Sequence, residues 1–348
     1  MNKKEHTTKN EDGFGIKAKK SLGQNFLNSD GALDAIIKAG RVTKGDTVLE
    51  IGPGKGALTK RLLDTGAKVI AIEKDYRLIP LLEELFAKEI KTKKLTLIHA
   101  DVLNFDVAKV MSLSVIPAEA GIQSEKSEST WIPASAGMTN TGEMKYKLIA
   151  NIPYYITGEI TRKFLSGNFQ PSLIVVLVQK EVAERITTTI QGSSKTKEGK
   201  ESILSISVKV YGEPKYIQTV KAGCFFPSPK VDSAILLIDN ISKKNFSDFQ
   251  VSSLRMRGST LPSISNQENS KLVDPRIRKD DTTECDTKKM EQKFFDVVKA
   301  GFAHKRKTLS SNLKQIISKE KLTGLGIKEN ERAENLTVEE WLKITNNL

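Results

Sequence analysis

The sequence predicts an α/β fold, in which helices cover both faces of a parallel sheet, followed by a small helical C-terminal domain. Short apolar runs alternate with segments of helical periodicity over most of the chain. The first of these runs ends in a turn with three glycines. From Met290 onward the periodicity is purely helical. These three observations define the expected architecture.

The glycine turn connects a buried strand to an amphipathic helix. Val48, Leu49 and Ile51 form the apolar run, and apolar residues recur at helical spacing over 57–63. Gly52, Gly54 and Gly56 lie between them. Glycine permits positive φ and close approach of a ligand, and the free N–H groups of a helix start favour electron-rich groups. The turn is therefore a candidate nucleotide-binding turn.

The spacing of the glycines distinguishes between classes of nucleotide. A dinucleotide fingerprint requires G-x-G-x-x-G, whereas this turn reads G-x-G-x-G and is preceded by Glu50. This spacing disfavours an NAD-dependent oxidoreductase. A glycine-rich βα turn without a ligand remains the alternative.

Two acidic residues follow the next predicted strands. Glu73 ends the strand 68–73, at a distance along the chain where nucleotide-binding units place a carboxylate on the ribose hydroxyls. Asp101 ends the strand 95–101. A solvated Glu at a strand end and an ordinary turn Asp are the alternatives for these two residues.

Composition restricts the partners and the compartment. The 348 residues carry a formal net charge of +13, which favours nucleic acid or an anionic membrane surface as partner. With Cys224 and Cys285 as the only cysteines and three histidines, we expect no disulfide framework, no metal site and a reducing compartment. No apolar run approaches the roughly 20 residues that span a bilayer. We therefore expect a cytoplasmic protein.

Composition also predicts the domain organisation. Residues 1–18 read as a flexible basic arm, 19–245 as the α/β domain, 246–289 as a disordered insertion or linker, and 290–348 as the helical domain. Residues 112–142 are interpreted as a surface insertion, because they are rich in small residues and contain an internal repeat, in which 115–122 resembles 131–138. Neither insertion is expected to contribute to chemistry.

The tetrapeptide Asn151-Ile152-Pro153-Tyr154 ends the fourth predicted strand of the sheet. An adenine amino nitrogen is a poor nucleophile because its lone pair is delocalised into the ring. The Asn151 side-chain oxygen and the Ile152 carbonyl could accept its two hydrogens, while Pro153 stiffens the backbone and Tyr154 offers a stacking face. The tetrapeptide alone is also compatible with a proline turn beside a buried tyrosine.

Together these motifs resemble the ribosomal RNA adenine N6,N6-dimethyltransferase family. The matching segments lie at 25–27, 50–56, 73, 101, 151–154, 226–233 and 302–309. The resemblance implies a Rossmann-like class I methyltransferase sheet and S-adenosyl-L-methionine as cofactor. It also implies two sets of functional residues. The cofactor contacts would be Asn25, Leu27, Gly52, Glu73, Asp101 and Asn151, and the catalytic residues would be Asn151, Tyr154 and Phe226.

The resemblance extends to the substrate. Residues 305–309, Lys-Arg-Lys-Thr-Leu, are expected to be helical and resemble members that act on small-subunit (16S) ribosomal RNA more than members acting on the large subunit. The implied activity is dimethylation of adjacent adenosines during ribosome assembly. The implied partner is small-subunit RNA in a pre-ribosomal particle, bound by a monomer without membrane association, with 290–348 as the RNA-binding domain.

Other activities remain possible at this point. Methyltransferases that act on cytosine amino groups or glutamine amides use a similar N-P-P-Y motif. A non-catalytic RNA-binding assembly or transcription factor on the same fold is a second alternative, although the presence of Glu73, Asp101 and the 151–154 motif argues against lost chemistry.

Overall fold

The structure is a computed structural model that describes residues 16–107, 145–188, 199–247 and 279–348, with side chains from residue 286 onward in the last range. Residues 1–15 of the predicted arm, the insertion 112–142 and residues 248–278 of the predicted linker lie outside the described residues. Ile16, at the end of the arm, packs against the core. Within the described ranges, no helix combines the length and apolar character required to span a membrane.

The described residues contain a seven-stranded sheet and a separate two-stranded sheet. The strands are β1 Phe26–Leu27, β2 Thr47–Ile51, β3 Lys68–Glu73, β4 Leu95–His99, β5 Lys147–Ala150, β6 Leu173–Gln179, β7 Glu213–Val220, β8 Phe225–Phe226 and β9 Ser233–Asp239. The α-helices are α1 Asp30–Ala39, α2 Ala57–Asp64, α3 Ile79–Leu85, α4 Ala87–Lys91, α5 Thr157–Ser166, α6 Lys180–Thr187, α7 Ile203–Lys209, α8 Lys279–Gly301, α9 Leu309–Asn312, α10 Lys319–Gly324 and α11 Val338–Asn346.

The large sheet has the strand order β4-β3-β2-β5-β6-β9-β7. The strands from β4 to β6 are parallel, while β9 runs antiparallel to both β6 and β7. Along the chain, β3 and β4 are therefore added on one side of β2, and β5 and the later strands of the sheet are added on the other side. The predicted α/β fold is confirmed.

The two faces of the sheet bury separate apolar clusters. In β2, Val48 belongs to the cluster that includes α1, α2 and α3, whereas Leu49 and Ile51 belong to the cluster on the opposite face. The alternation follows from the two-residue period of a strand, so an apolar run buries both faces at once. Helices thus cover both faces, as predicted.

The C-terminal helices share a core with the sheet. Phe294 and Phe295 of α8 pack against Tyr211 and Phe246, with ring centroids 5.6 Å apart for Phe246 and Phe294 and 6.1 Å apart for Tyr211 and Phe295. Phe246 is fully buried, although the sequence placed it in the linker. Helix α8 begins at Lys279, before the apolar periodicity that starts at Met290. The division into domains stays a prediction.

In two segments the structure defines helices whose type or bounds the sequence pattern leaves open. The apolar residues of the segment 203–211 suit either a strand or a buried helix. The segment forms helix α7, because Ser202 caps it and Ser205 completes a reciprocal capping box. The segment 76–88, which has helical periodicity in the sequence, is divided into a 3₁₀ turn, α3 and α4, with a break at Phe86 (φ −118°). Phe86 is thereby buried against the glycine turn.

Candidate active site

A cavity of about 330 Å³ lies at the carboxyl ends of the parallel strands. Residues that follow β2, β3, β4 and β5 line it, where the strand order reverses between β2 and β5. Ligands of open α/β sheets bind at this topological switch point. The predicted site residues that line the cavity are Asn25, Leu27, Gly52, Glu73, Asp101, Asn151 and Tyr154.

The glycine turn forms one wall of the cavity and has no space for side chains. Gly54 and Gly56 have φ values of +60° and +85°. A Cβ on Gly56 would lie 2.6 Å from the Phe86 ring, and one on Gly54 would lie 3.0 Å from the Phe26 ring. Both glycines are therefore required by the packing as well as by the backbone conformation.

Glu73 ends β3 beside this turn. Its side-chain oxygens accept backbone hydrogen bonds from Gly54 (3.1 Å) and Asp75 (2.8 Å), and the residue is only 5% exposed. Burial raises the pKa of Glu73 above its usual range, although the two backbone donors oppose that shift. A carboxylate has about four acceptor positions, so the backbone amides leave room for a hydrogen bond from a ligand.

Asp101 follows β4 and is paired with a residue that the sequence did not single out. Its Oδ2 accepts a hydrogen bond from Lys74 Nζ at 2.7 Å, and its Oδ1 accepts one from the Leu103 amide at 3.1 Å. The hydrogen bond from Lys74 lowers the pKa of Asp101. Asp101 is therefore a carboxylate with a fixed orientation at the cavity wall.

The segment 22–27 covers the cavity and is tied to the strand ends. Gln24 Nε2 donates to Asp75 Oδ2 at 2.8 Å, and Asn151 Nδ2 donates to the Asn25 carbonyl at 3.1 Å. Hydrogen bonds from Arg77 and then from Gln24 lower the pKa of Asp75 to about 2. Asp75 thus remains charged and holds the segment in place.

Asn151 and Tyr154 lie side by side at the end of β5. The hydrogen bond from Asn151 Nδ2 to Asn25 fixes the amide, and Asn151 Oδ1 accepts no hydrogen bond from the described residues. Tyr154 Oη lies 2.6 Å from Ser233 Oγ. Burial raises the pKa of the Tyr154 phenol above its usual range. The phenol is therefore protonated at neutral pH.

Phe226 is the one predicted site residue that does not line the cavity. Its side chain is 67% exposed. The two-stranded sheet nevertheless pairs Phe226 with Phe26, and Phe26 lines the cavity. The structure therefore places Phe226 at the edge of the site, one strand away from the cavity wall.

The sequence missed several residues of this site. Lys74 was detectable as the residue that follows Glu73, because parallel strand ends meet at one edge and bring it to Asp101. Tyr155 lines the cavity and is 62% exposed, but the tetrapeptide motif ends one residue earlier. Ser233 contacts Tyr154 across the fold, and nothing local in the sequence indicates this contact.

The basic cluster Lys305, Arg306 and Lys307 lies in a turn between α8 and α9, not on a helix as expected. The Lys307 amide donates to the His304 carbonyl, and Thr308 caps the next helix, so the chain turns at this point. Lys305 and Lys307 line a second cleft, of about 500 Å³. Its other basic residues are Arg185, Lys200 and Arg332.

Comparison with known proteins decides the family. A family model described as "Ribosomal RNA adenine dimethylase" matches residues 15–256 and 262–348. The chain belongs to the ribosomal RNA adenine dimethylase family. It is accordingly an rRNA adenine dimethyltransferase, and the family implies a methyl donor of the S-adenosylmethionine type.

Curated relatives of this rRNA adenine dimethylase are named "Ribosomal RNA small subunit methyltransferase A". The protein of Dehalococcoides mccartyi strain CBDB1 is 33% identical over 339 residues, covering 96% of this chain and 89% of the relative. The protein of Clostridium botulinum strain Loch Maree is also 33% identical, over 99% and 98% of the two chains.

Solved structures confirm the fold of this rRNA adenine dimethylase. A dimethyladenosine transferase from Plasmodium falciparum aligns with a TM-score of 0.56 and 22% identity, covering 92% of this chain and 95% of the other. The 23S rRNA methyltransferase ErmE aligns with the same TM-score and 18% identity, covering 92% and 98%. The Rossmann-like methyltransferase fold is thereby established.

Proposed function

We propose that this protein uses S-adenosyl-L-methionine to dimethylate adjacent adenosines of small-subunit (16S) ribosomal RNA during ribosome assembly. The observation that carries the proposal is the shared cavity. Glu73 and Asp101 line it after β3 and β4, whereas Asn151 and Tyr154 line it after β5, on the other side of β2. A cofactor subsite and an acceptor-base subsite thus open into the same space.

The cavity has the size and polarity that the cofactor requires. Its volume of about 330 Å³ falls in the range of roughly 300–1,000 Å³ that small-molecule sites occupy. Glu73 would accept hydrogen bonds from the ribose hydroxyls and Asp101 one from the adenine amino group of the cofactor. Asn25, Leu27 and Gly52 would enclose the remainder. When bound, this cofactor supplies an electrophilic methyl group on a sulfonium.

At the other end, the protein orients the base to be methylated. The hydrogen bond from Asn151 Nδ2 to the Asn25 carbonyl fixes the orientation of the amide. Asn151 Oδ1 then remains available to accept an amino hydrogen of the base. Tyr154 offers its ring for stacking, while its protonated phenol is engaged by Ser233 and unsuited to act as a base. Phe226 would close the base site from its exposed position. We therefore assign most of the rate acceleration to positioning.

The choice of the small subunit rests on the relatives and on charge. The two curated relatives are named for the small subunit. The cleft that contains Lys305 and Lys307 would contact phosphates of the RNA, which is consistent with the net charge of +13. We propose that the protein acts as a monomer on a pre-ribosomal particle in the cytoplasm, where the subunits are assembled.

Mass spectrometry of the RNA tests this function. The protein is incubated with S-adenosyl-L-methionine and small subunits from a strain that lacks the modification, and with large subunits as the control. Nuclease digests of the small-subunit RNA should contain two dimethyladenosines per molecule. Dimethyladenosine in large-subunit RNA instead would reject the substrate, and methylated cytosine would reject the base.

A further inference from the structure

The loop 221–232 carries Phe226 and connects β7 to β9. These strands are antiparallel, and Val220, at the end of β7, pairs with Ser233, at the start of β9. The two ends of the loop therefore meet beside Asp232 and Ser233. Both residues belong to the segment 226–233, but neither lines the cavity.

The Asp232 carboxylate stabilises the base of this loop. Its Oδ1 accepts a hydrogen bond from the Ala222 amide at 3.0 Å, and its Oδ2 pairs with Lys221 Nζ at 2.9 Å. Its carbonyl accepts a hydrogen bond from the Lys180 amide at 3.0 Å, which ties the loop to the start of α6. The Asp232 carboxylate thus joins the two ends of the loop that carries Phe226.

Ser233 contacts Tyr154, the other aromatic residue of the base site. It is fully buried and pairs with Gln179 of β6 on one side and Val220 of β7 on the other. Its hydroxyl therefore has a position set by three strands. That hydroxyl lies 2.6 Å from the Tyr154 phenol.

We propose that Asp232 and Ser233 are positioning residues that align the two aromatic side chains of the base site with each other. The inference rests on the proposed roles of Tyr154 and Phe226. Asp232 acts through the loop that carries Phe226, and Ser233 acts through the phenol of Tyr154. Because the two are consecutive in the chain, one dipeptide contacts both the loop that carries Phe226 and the phenol of Tyr154.

The Ser233 arm of the proposal is tested by a double-mutant cycle with single-turnover methylation as the readout. Ser233→Ala should lower the rate constant about fivefold at saturating cofactor and RNA, as expected for one neutral hydrogen bond, with both affinities unchanged. Tyr154→Phe should give a similar loss, and the double variant should lose no more than either single variant. Multiplying losses, or a full rate in Ser233→Ala, would overturn this arm.

The Asp232 arm uses a matched pair of variants. Asp232→Asn keeps an acceptor for the Ala222 amide and should retain most of the rate, whereas Asp232→Ala removes it and should lose about tenfold or more. Equal rates in the two variants would overturn this arm. Melting temperatures measured in parallel identify simple unfolding, which would lower the active fraction without changing the single-turnover rate constant.

These outcomes are separable from failure of the proposed function. If Tyr154→Ala and Phe226→Ala abolish methylation while the Asp232 and Ser233 variants are fully active, only the positioning inference is wrong. If Tyr154→Ala is fully active, the base site itself is misassigned.

Discussion

The substitution Glu73→Ala tests the cofactor end of the cavity. Glu73 is 5% exposed, and backbone amides occupy two of its acceptor positions, so the carboxylate is fixed in orientation before a ligand arrives. A hydrogen bond to a charged group contributes about 1.5–3 kcal/mol. Loss of one such bond to the ribose should weaken binding of S-adenosyl-L-methionine about 10- to 150-fold, and loss of two should weaken it more.

The assay is isothermal calorimetry with S-adenosyl-L-methionine and with its demethylated product. Glu159→Ala is the matched control, because Glu159 lines the same cavity but is exposed and has no proposed cofactor contact. Glu73→Ala also leaves the Gly54 and Asp75 amides without their acceptor, so a lower melting temperature is expected as well. Equal affinity in Glu73→Ala and Glu159→Ala would refute the ribose assignment.

Two further predictions concern stability and RNA binding. Burial raises the pKa of Glu50 to about 8 from an ordinary value near 4.5. Between these two pH values the folded state keeps a proton that the unfolded state loses. The contribution of the protonated Glu50 to the free energy of unfolding is therefore complete below pH 4.5 and is lost as the pH rises through 8. Glu50→Gln should therefore flatten the fall in unfolding free energy across that window, by up to about 1.4 kcal/mol per pH unit, and an unchanged slope in urea unfolding would contradict it. Neutralising Lys305, Arg306 and Lys307 should weaken binding to immature small subunits and flatten its salt dependence, because each phosphate contact releases counterions. The exposed residues at 91, 93 and 94 give a matched triple-lysine control, and an identical slope in both triple variants would show that the 305–307 cluster is only solvated surface.

The α/β architecture was predictable because its signals are local. Apolar runs, the glycine spacing and the acidic residues at strand ends all follow from the period of a strand and from the shape of a βα turn. Because parallel strands align their carboxyl ends, the sequence alone is sufficient to assign Glu73, Asp101 and Asn151 to one edge of the sheet. The structure places all three on one cavity.

The contacts that orient these residues were not predictable in the same way. The pairing of Lys74 with Asp101 spans 27 positions, and that of Tyr154 with Ser233 spans 79. Neither pair is indicated by a local pattern in the sequence. The exposed position of Phe226 depends on pairing with Phe26, far away in the chain. The helix expected at 305–309 was wrong for residues 305–307, since a helix cap at Thr308 overrides a sequence of good helix formers.

Single-turnover methyl transfer by Tyr154→Ala tests whether one cavity joins a cofactor subsite to an adenine subsite. Transfer from labelled S-adenosyl-L-methionine to small-subunit RNA is measured beside cofactor affinity. In Tyr154→Ala, methylation should collapse while cofactor affinity persists. In Tyr154→Phe, which keeps the stacking ring, the rate constant should fall only a few-fold. Full turnover in Tyr154→Ala, or a loss in Tyr154→Phe as large as in alanine, would contradict this prediction.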